Sequence, residues 1–232
     1  MTTHFTAGVT NASKFSALGL SGSPSPIFNH QYFDDFDTYT AGHWTVTEQG
    51  SATQALTSGD GGLLLITNAA ADNDSTEMQL TIGTFTYDAS KDLFFGIRFQ
   101  VSDATQSDIA VGLANIDTTV IDGTNDAVYF TKADGTTSVS FGVGNEGTFT
   151  TATGVATLAD ATNMELAFAY NSNDGLFHYY VDGVDSGTSV TTNAPDANLA
   201  PTICIQNGAT AAKTMTIDYI WAAKKRNAGE NS

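Results

Sequence analysis

Cysteine is almost absent. Cys204 is the only one in 232 residues, so an internal disulfide is excluded and stability has to come from burial. It sits in the apolar run PTICIQ, where a small core residue is the default reading. Positive charge is nearly as scarce: 8 Lys and Arg stand against 25 Asp and Glu, a formal net charge of −17. Phosphate repels such a chain, which argues against nucleic acid and against an anionic membrane as partners. The exception is Lys224-Lys225-Arg226 near the C-terminus, read either as a solvated tail or as a docking contact for an acidic partner. No apolar run approaches transmembrane length. Nothing in the first 30 residues resembles the apolar stretch of a signal peptide, so we expect a soluble protein made in a cytoplasm.

Helical periodicity is missing too, with TLADATN at 157–163 the one place where a single turn would fit. What is present is strand and turn chemistry. Charged residues are 14% of the chain and hydrophobic ones 41%, with 22 glycines. The polar surface is therefore built largely from Thr, Ser, Asn and Gly. Runs such as WTVTEQ, GLLLITN, EMQLTI, LFFGIRFQV, IAVGLAN, MELAFAY, LFHYYVD and MTIDYIWAA recur, separated by SGDGG, DATQSD, ADGTT, NSNDG and DGVDSG turns. About a dozen short strands at this spacing imply a β-sandwich or jelly roll. Residues 1–31 differ: they carry spaced apolars (Phe5, Val9, Phe15, Leu18, Leu20) and end in the breaker SGSPSP. We expect an extended N-terminal arm over 1–31, one jelly-roll β-sandwich over 32–226, and a polar tail over 227–232.

The acidic, aromatic opening YFDDFDTYTAGHW (32–44) first suggests a metal site or an acid/base pair. Alternation offers a plainer account, in which Phe33 and Phe36 turn inward while Asp34 and Asp37 face water or cap the turn. The stretch then marks where the arm ends and the folded block begins.

The order FDDFDTYTAGHWTV, GGLLLIT, LFFGIRFQVSD, LFHYYVDGV and MTIDYIWAAKK resembles the concanavalin-A-like jelly roll of legume lectins, laminin-G modules and laminarinase-like β-glucanases. The resemblance implies an all-β fold whose first and last strands pair at one edge. Asp182-Gly183 supplies the positive φ that a tight hairpin requires. Longer stretches, DATQSDIAVGLANIDTTVIDGTNDAVYFTKADGTTSVSF, ATLADATNMELAFAYN and IQNGATAAKTMTIDYIWAAKKR, resemble a family of tailed-bacteriophage virion proteins. So does the lead-in FTAGVTNA…LGLSGSPSPIFNHQYFDDFDTYTAGHWTV. The stretch FGVGNEGTFTTATG (141–154) departs from the pattern. This resemblance implies a capsid decoration or cement protein, located on the virion, with the major capsid protein and sister subunits of a homotrimer as partners. The arm apolars Phe5, Val9, Phe15, Leu18 and Leu20 would be its contacts.

The β-glucanase pattern Glu-x-Asp-x-Glu sends three carboxylates to one face of a strand. Glu77 and Glu165 each lack such partners, and Asp35 and Asp37 lie on the opening strand. The histidines His4, His30, His43 and His178 are scattered, and no nucleotide-binding loop or nucleophile elbow occurs. We expect no enzyme and no cofactor. The loops with Asp72/Asp74, Asp103/Asp108 and Asp122/Asn125/Asp126 are oxygen-rich enough for calcium, but acids also cap ordinary turns. The alternative function is a lectin-like, glycan-binding module. Alternation on FHYYV puts Phe177, Tyr179 and Val181 on one face and His178, Tyr180 and Asp182 on the other. Tyr180 and Trp221 are then the candidate sugar contacts, with Trp44 and Trp221 otherwise read as core aromatics.

Overall fold

The computed structural model describes residues 29–59, 61–121, 123 and 126–226. The arm residues Phe5, Val9, Phe15, Leu18 and Leu20, the tail 227–232, and Asp122 and Asn125 lie outside the described residues. The strands are β1 (Asn29–Asp34), β2 (Trp44–Gln49), β3 (Ala52–Gly59), β4 (Gly61–Asn68) and β5 (Ser75–Leu80). Next come β6 (Leu93–Val101), β7 (Ser107–Asn115), β8 (Ala127–Lys132), β9 (Ser138–Asn145) and β10 (Thr148–Thr157). The last five are β11 (Met164–Asn171), β12 (Leu176–Val181), β13 (Val184–Ser189), β14 (Leu199–Asn207) and β15 (Thr214–Lys225).

All pairings are antiparallel and build two sheets. Sheet I has the order β10-β9-β8-β7-β14-β5-β2, and sheet II the order β13-β12-β11-β6-β15-β4-β3, with β1 added on β15. Period-two alternation explains why they stack. On β6, Leu93, Phe95, Ile97, Phe99 and Val101 are buried between the sheets. Their neighbours Phe94 and Arg98 are only half-buried. Across the gap Phe141 sits 5.7 Å from Phe168 and 6.4 Å from Phe177, and within sheet II Phe95 lies 5.5 Å from its strand neighbour Phe168 (ring centroids). Each fully buried ring contributes roughly 1.5–3 kcal/mol of transfer free energy.

The first and last described strands pair, as the resemblance implies, but in the interior of sheet II rather than at an edge. β15 is twelve residues long; β6 flanks it along most of one side. Its other side takes β4 at Thr214–Ile217 and β1 at Ile220–Lys225. A register shift between Ile217 and Tyr219 marks a bulge at Asp218. The extra residue changes the parity of the strand, so Ile217 and Ile220 both reach the core. Asn29–Gln31 already pair with Ala223–Lys225, so the last three residues assigned to the arm belong to the folded block.

The opening stretch departs from simple alternation. Phe33 points outward, 55% exposed, and stacks on Tyr219 at 6.4 Å, while Tyr32 packs inward near Trp44. The expected inward Phe33 is therefore incorrect; bonding to β15 sets the parity of β1. Phe36 is buried with φ 50°, its N–H donating to Asp34 Oδ1 at 2.9 Å. Tyr32 Oη donates to Asp34 Oδ2 at 3.0 Å. This acid is thus a turn cap. In 157–163, Thr157 ends β10 and a turn lies at Asp160–Ala161, with Ala161 at φ 48°; the short 3-10 turn lies instead at Ala41–His43.

Buried polar groups tie the ends of the sheets together. Asn68 Nδ2 donates to the carbonyls of Asp74 and Ile205 at 3.0 and 3.1 Å, and Asn207 Nδ2 to those of Ala69 and Ala71 at 2.7 and 2.9 Å. Asp126 accepts the N–H groups of Glu146, Asp196 and Ala197 at 2.8, 3.0 and 3.0 Å, pinning two loops to the start of β8. Asp103 caps Thr105 and Gln106 and pairs with Lys213 at 2.7 Å. Asp74 takes the N–H of Ala71 at 2.9 Å. Acids in all three oxygen-rich loops thus serve as caps and ties.

Candidate functional site

The outer face of sheet II carries a groove of about 650 Å³. Three elements converge on it. β6 supplies Phe94, with Asp92 just before the strand, β11 supplies Ala169 to Asn171, and the β12–β13 hairpin supplies His178, Tyr180, Gly183, Val184 and Asp185. The register accounts for the convergence, because Phe94 pairs with Ala169, Ala169 with His178, and Tyr180 with Asp185. Asp182 (φ 49°) and Gly183 (φ 74°) make the tight turn that returns Asp185 to the rim. The expected faces of FHYYV hold: Phe177 and Tyr179 enter the core, while His178 and Tyr180 line the groove.

The floor is aromatic and the rim acidic. Tyr180 is 7% exposed and belongs to a cluster with Ala167, Ala169, Trp221 and Ala223, against which Phe94 and Tyr219 pack. Burial, helped by Asp185 and Asp174, pushes the Tyr180 phenol up to about 12. On the rim, His178 stands between two carboxylates, with Nε2 2.9 Å from Asp174 and Nδ1 3.5 Å from Asp185. The hydrogen bond to His178 holds the Asp174 carboxyl below its usual range. Asn171 Nδ2 donates to Asp174 at 2.9 Å. Ser172 N–H and Oγ both donate to Asp92, at 2.9 and 2.6 Å. A flat apolar floor under a rim of carboxylates, an amide and an imidazole suits a ligand with an apolar face and hydroxyl edges.

Both predicted sugar contacts lie on this face, in different roles. Tyr180 lines the groove. Trp221 is 3% exposed and lies under its margin, stacked on Phe94 (6.4 Å, 18°). Its Nε1 is buried without an acceptor and sits where a Cβ on Gly96 would come within 2.2 Å. Trp44, in contrast, joins the core between the sheets. Sequence reasoning missed Phe94, Asp92 and Asp174. The parity of LFFGIRFQV signals that Phe94 faces away from the core, but not what lies beside it.

Sheet I offers a smaller hollow of about 290 Å³ lined by Thr47, Glu48, Gln49, Ser75, Glu77, Thr118, Thr119 and Gln206. Glu77 is buried there, accepting the N–H of Val120 at 2.7 Å. Cys204 is wholly buried beneath the same face, where burial, reinforced by Glu77, raises its thiol.

No protein-family model and no curated protein matches the chain. Solved structures do. The Emp47p carbohydrate recognition domain superposes with a TM-score of 0.60 at 14% identity, covering 88% of this chain and 97% of that one. An endo-1,3-beta-glucanase from Streptomyces sioyaensis gives 0.60 at 13% identity, with 86% and 97% covered. A conserved carbohydrate esterase from the Shiga toxin-encoding bacteriophage phi24B gives 0.51 at 18% identity, with 79% and 90% covered.

The fold is a concanavalin-A-like jelly roll. At these identities the likeness establishes the architecture and leaves the activity to the site. It also corrects one expectation. Jelly rolls matched here include the glucanase, an endo-beta-1,4-glucuronan lyase and a glycosidic hydrolase. The expectation of no enzyme is therefore overturned: the architecture hosts catalysis as well as recognition, and the missing Glu-x-Asp-x-Glu pattern excludes only one arrangement of carboxylates.

Proposed function

We propose that this chain is a structural protein of a tailed-bacteriophage virion, seated on the outer capsid surface by its N-terminal segment and holding the jelly roll outward. The sequence resemblance is the starting point, and the observation that carries the reading is the anchorage of β1. This strand continues from the N-terminal segment and bonds through six residue pairs to β15, inside sheet II. A load entering along the strand at Asn29 is shared by the whole pairing instead of peeling a frayed end. Phe5, Val9, Phe15, Leu18 and Leu20 then act as apolar anchors in the major capsid protein or in a sister subunit of a homotrimer. Many weak copies on one shell bind with avidity. The test is co-sedimentation of the full chain, and of a chain lacking residues 1–28, with undecorated heads. The full chain saturates at hundreds of copies per particle; unchanged affinity of the shortened chain would sink the reading.

The groove on sheet II favours a second reading, that of a carbohydrate-recognition surface, which is compatible with a virion location. Its support is the pairing of the aromatic floor at Phe94 and Tyr180 with the hydroxyl-binding rim at Asp174, Asp185 and Asn171. Calorimetric titration with β-1,3-glucan and oligoglucuronate, alongside an assay for chain cleavage, tests it. Binding should disappear in Tyr180→Ala with the fold intact; if none of these glycans is bound or cut, the second reading fails.

A further inference from the structure

Charge is unevenly placed around the groove on sheet II. Among the described residues, its lining includes Asp92, Asp185 and His178 but no lysine or arginine. Asp92 is matched, with Lys225 3.8 Å away and Ser172 donating through both its N–H and its hydroxyl. The other end differs. There Asp185 lines the groove, and Asp174, in the turn between β11 and β12, stands on the far side of His178. One imidazole serves both carboxylates, so this end stays negative whether or not the ring carries a second proton. Asp174 already accepts the N–H of Leu176 at 3.0 Å and the Asn171 amide at 2.9 Å, besides His178. The partners of Asp185 among the described residues are the N–H of Gly187 at 3.1 Å and His178 at 3.5 Å. A carboxylate offers about four lone-pair sites, and the Asp185 side chain is 54% exposed. It therefore has acceptor capacity left, beside its cross-strand partner Tyr180.

We propose that this groove selects glycans that bear a protonated amine, with an amino-sugar ring laid on Phe94 and Tyr180 and its ammonium taken by Asp185, Asp174 reinforcing the field. The inference rests on the carbohydrate-recognition reading of the groove and adds to it the charge of the sugar. Charge complementarity selects the class. An ammonium forms charge-assisted hydrogen bonds to a carboxylate and gains further beside an aromatic face. A uronate sets its own carboxylate against two others and is disfavoured. Fields are screened within about 10 Å at 0.1 M salt, so the two acids at this end act on the ligand more than distant surface charge does. A sugar ring also gives the flat floor an apolar C–H face and gives Asn171 a hydroxyl. A lysine side chain brings the same charge on a narrow stem and uses neither.

The experiment titrates the full chain calorimetrically at low salt and about pH 6, where ordinary carboxylates stay ionised. The probes are hexamers of one linkage: β-1,4-glucosamine, β-1,4-glucose and β-1,4-glucuronate. Glucosamine should bind about three- to tenfold tighter than glucose, as one or two exposed ion pairs allow, and glucuronate more weakly than either. The advantage should shrink toward unity at about 0.5 M salt. Asp174→Asn/Asp185→Asn should bring the glucosamine-to-glucose ratio close to unity while keeping its circular dichroism and urea midpoint; Asp185→Asn alone should remove most of the advantage. Asp72→Asn/Asp134→Asn, which removes two exposed acids outside the groove, should keep the ratio. If glucose binds through Tyr180 but glucosamine has no advantage, or the advantage survives Asp174→Asn/Asp185→Asn, the charge inference is overturned and the carbohydrate reading stands. If none of the hexamers binds, or binding ignores Tyr180→Ala, the inference is overturned, and the β-1,3-glucan titration decides the carbohydrate reading separately. Hexa-lysine binding that matches glucosamine and needs Asp185 would assign the groove to a basic peptide and also overturn the proposal.

Discussion

Gly96 lies in the middle of β6, under the indole of Trp221, and Gly96→Ala separates two opposing effects. Its φ lies outside the left-handed region, so the backbone accepts alanine. Removing a glycine from a strand ordinarily stabilises by about 0.4–1 kcal/mol, through the entropy of the unfolded chain. Here the new Cβ would sit 2.2 Å from Trp221 Nε1 and 3.0 Å from Cδ1 and Cε2. The indole, held against Phe94 and buried to 3% exposure, has to lift. Overpacking of this kind costs about 1–3 kcal/mol, so the net expectation is a loss of roughly 1–2 kcal/mol. Urea unfolding measures it, with tryptophan emission shifting to the red as the indole is displaced; Trp44 is the only other tryptophan that emits. The decisive arm is the Trp221→Ala background. There the indole is gone, and Gly96→Ala should become stabilising by the entropic 0.4–1 kcal/mol or so. A single variant as stable as the parent with unchanged emission, or the same sign in both backgrounds, would refute the contact as the reason for the glycine.

Three further outcomes follow from the packing. Burial alone would raise the Asp126 carboxyl, but the N–H donors of Glu146, Ala197 and Asp196 outweigh it and hold it below the usual range. A depressed folded value means stability that is present above about pH 4 and lost as pH falls through the folded value. Asp126→Asn should therefore be about 2–4 kcal/mol less stable at pH 7, from one lost charged bond and one donor facing a donor, and should lose less on acidification to pH 3 than the parent. Phe141→Ala empties a site among Phe130, Phe168, Phe177 and Tyr179. It should lower stability by about 3–5 kcal/mol in urea melts. Cys204 is fully buried with its thiol raised, so a disulfide-exchange reagent should react only as the chain unfolds; fast labelling in native buffer would contradict the burial.

The two-sheet architecture could be read in advance because it follows from local rules. Alternation on LFFGIRFQV and FHYYV, glycine-bearing turns and the absence of helical period each act within a few residues. That Phe177 and Tyr179 face the core and His178 and Tyr180 the groove follows from period two alone. The same rule failed at Phe33 because β1 takes its parity from its pairing with β15. The sites are non-local. The groove joins residues from Asp92 to Asp185. No spacing in a linear chain encodes such neighbours; the register of β6, β11, β12 and β15 does. The sequence by itself determined an acidic, disulfide-free β-sandwich and the faces of its strands, because charge and alternation are local. Only the tertiary structure decided that Trp221 lies over Gly96 and that Tyr180 floors a groove, because strand order and register bring distant residues side by side.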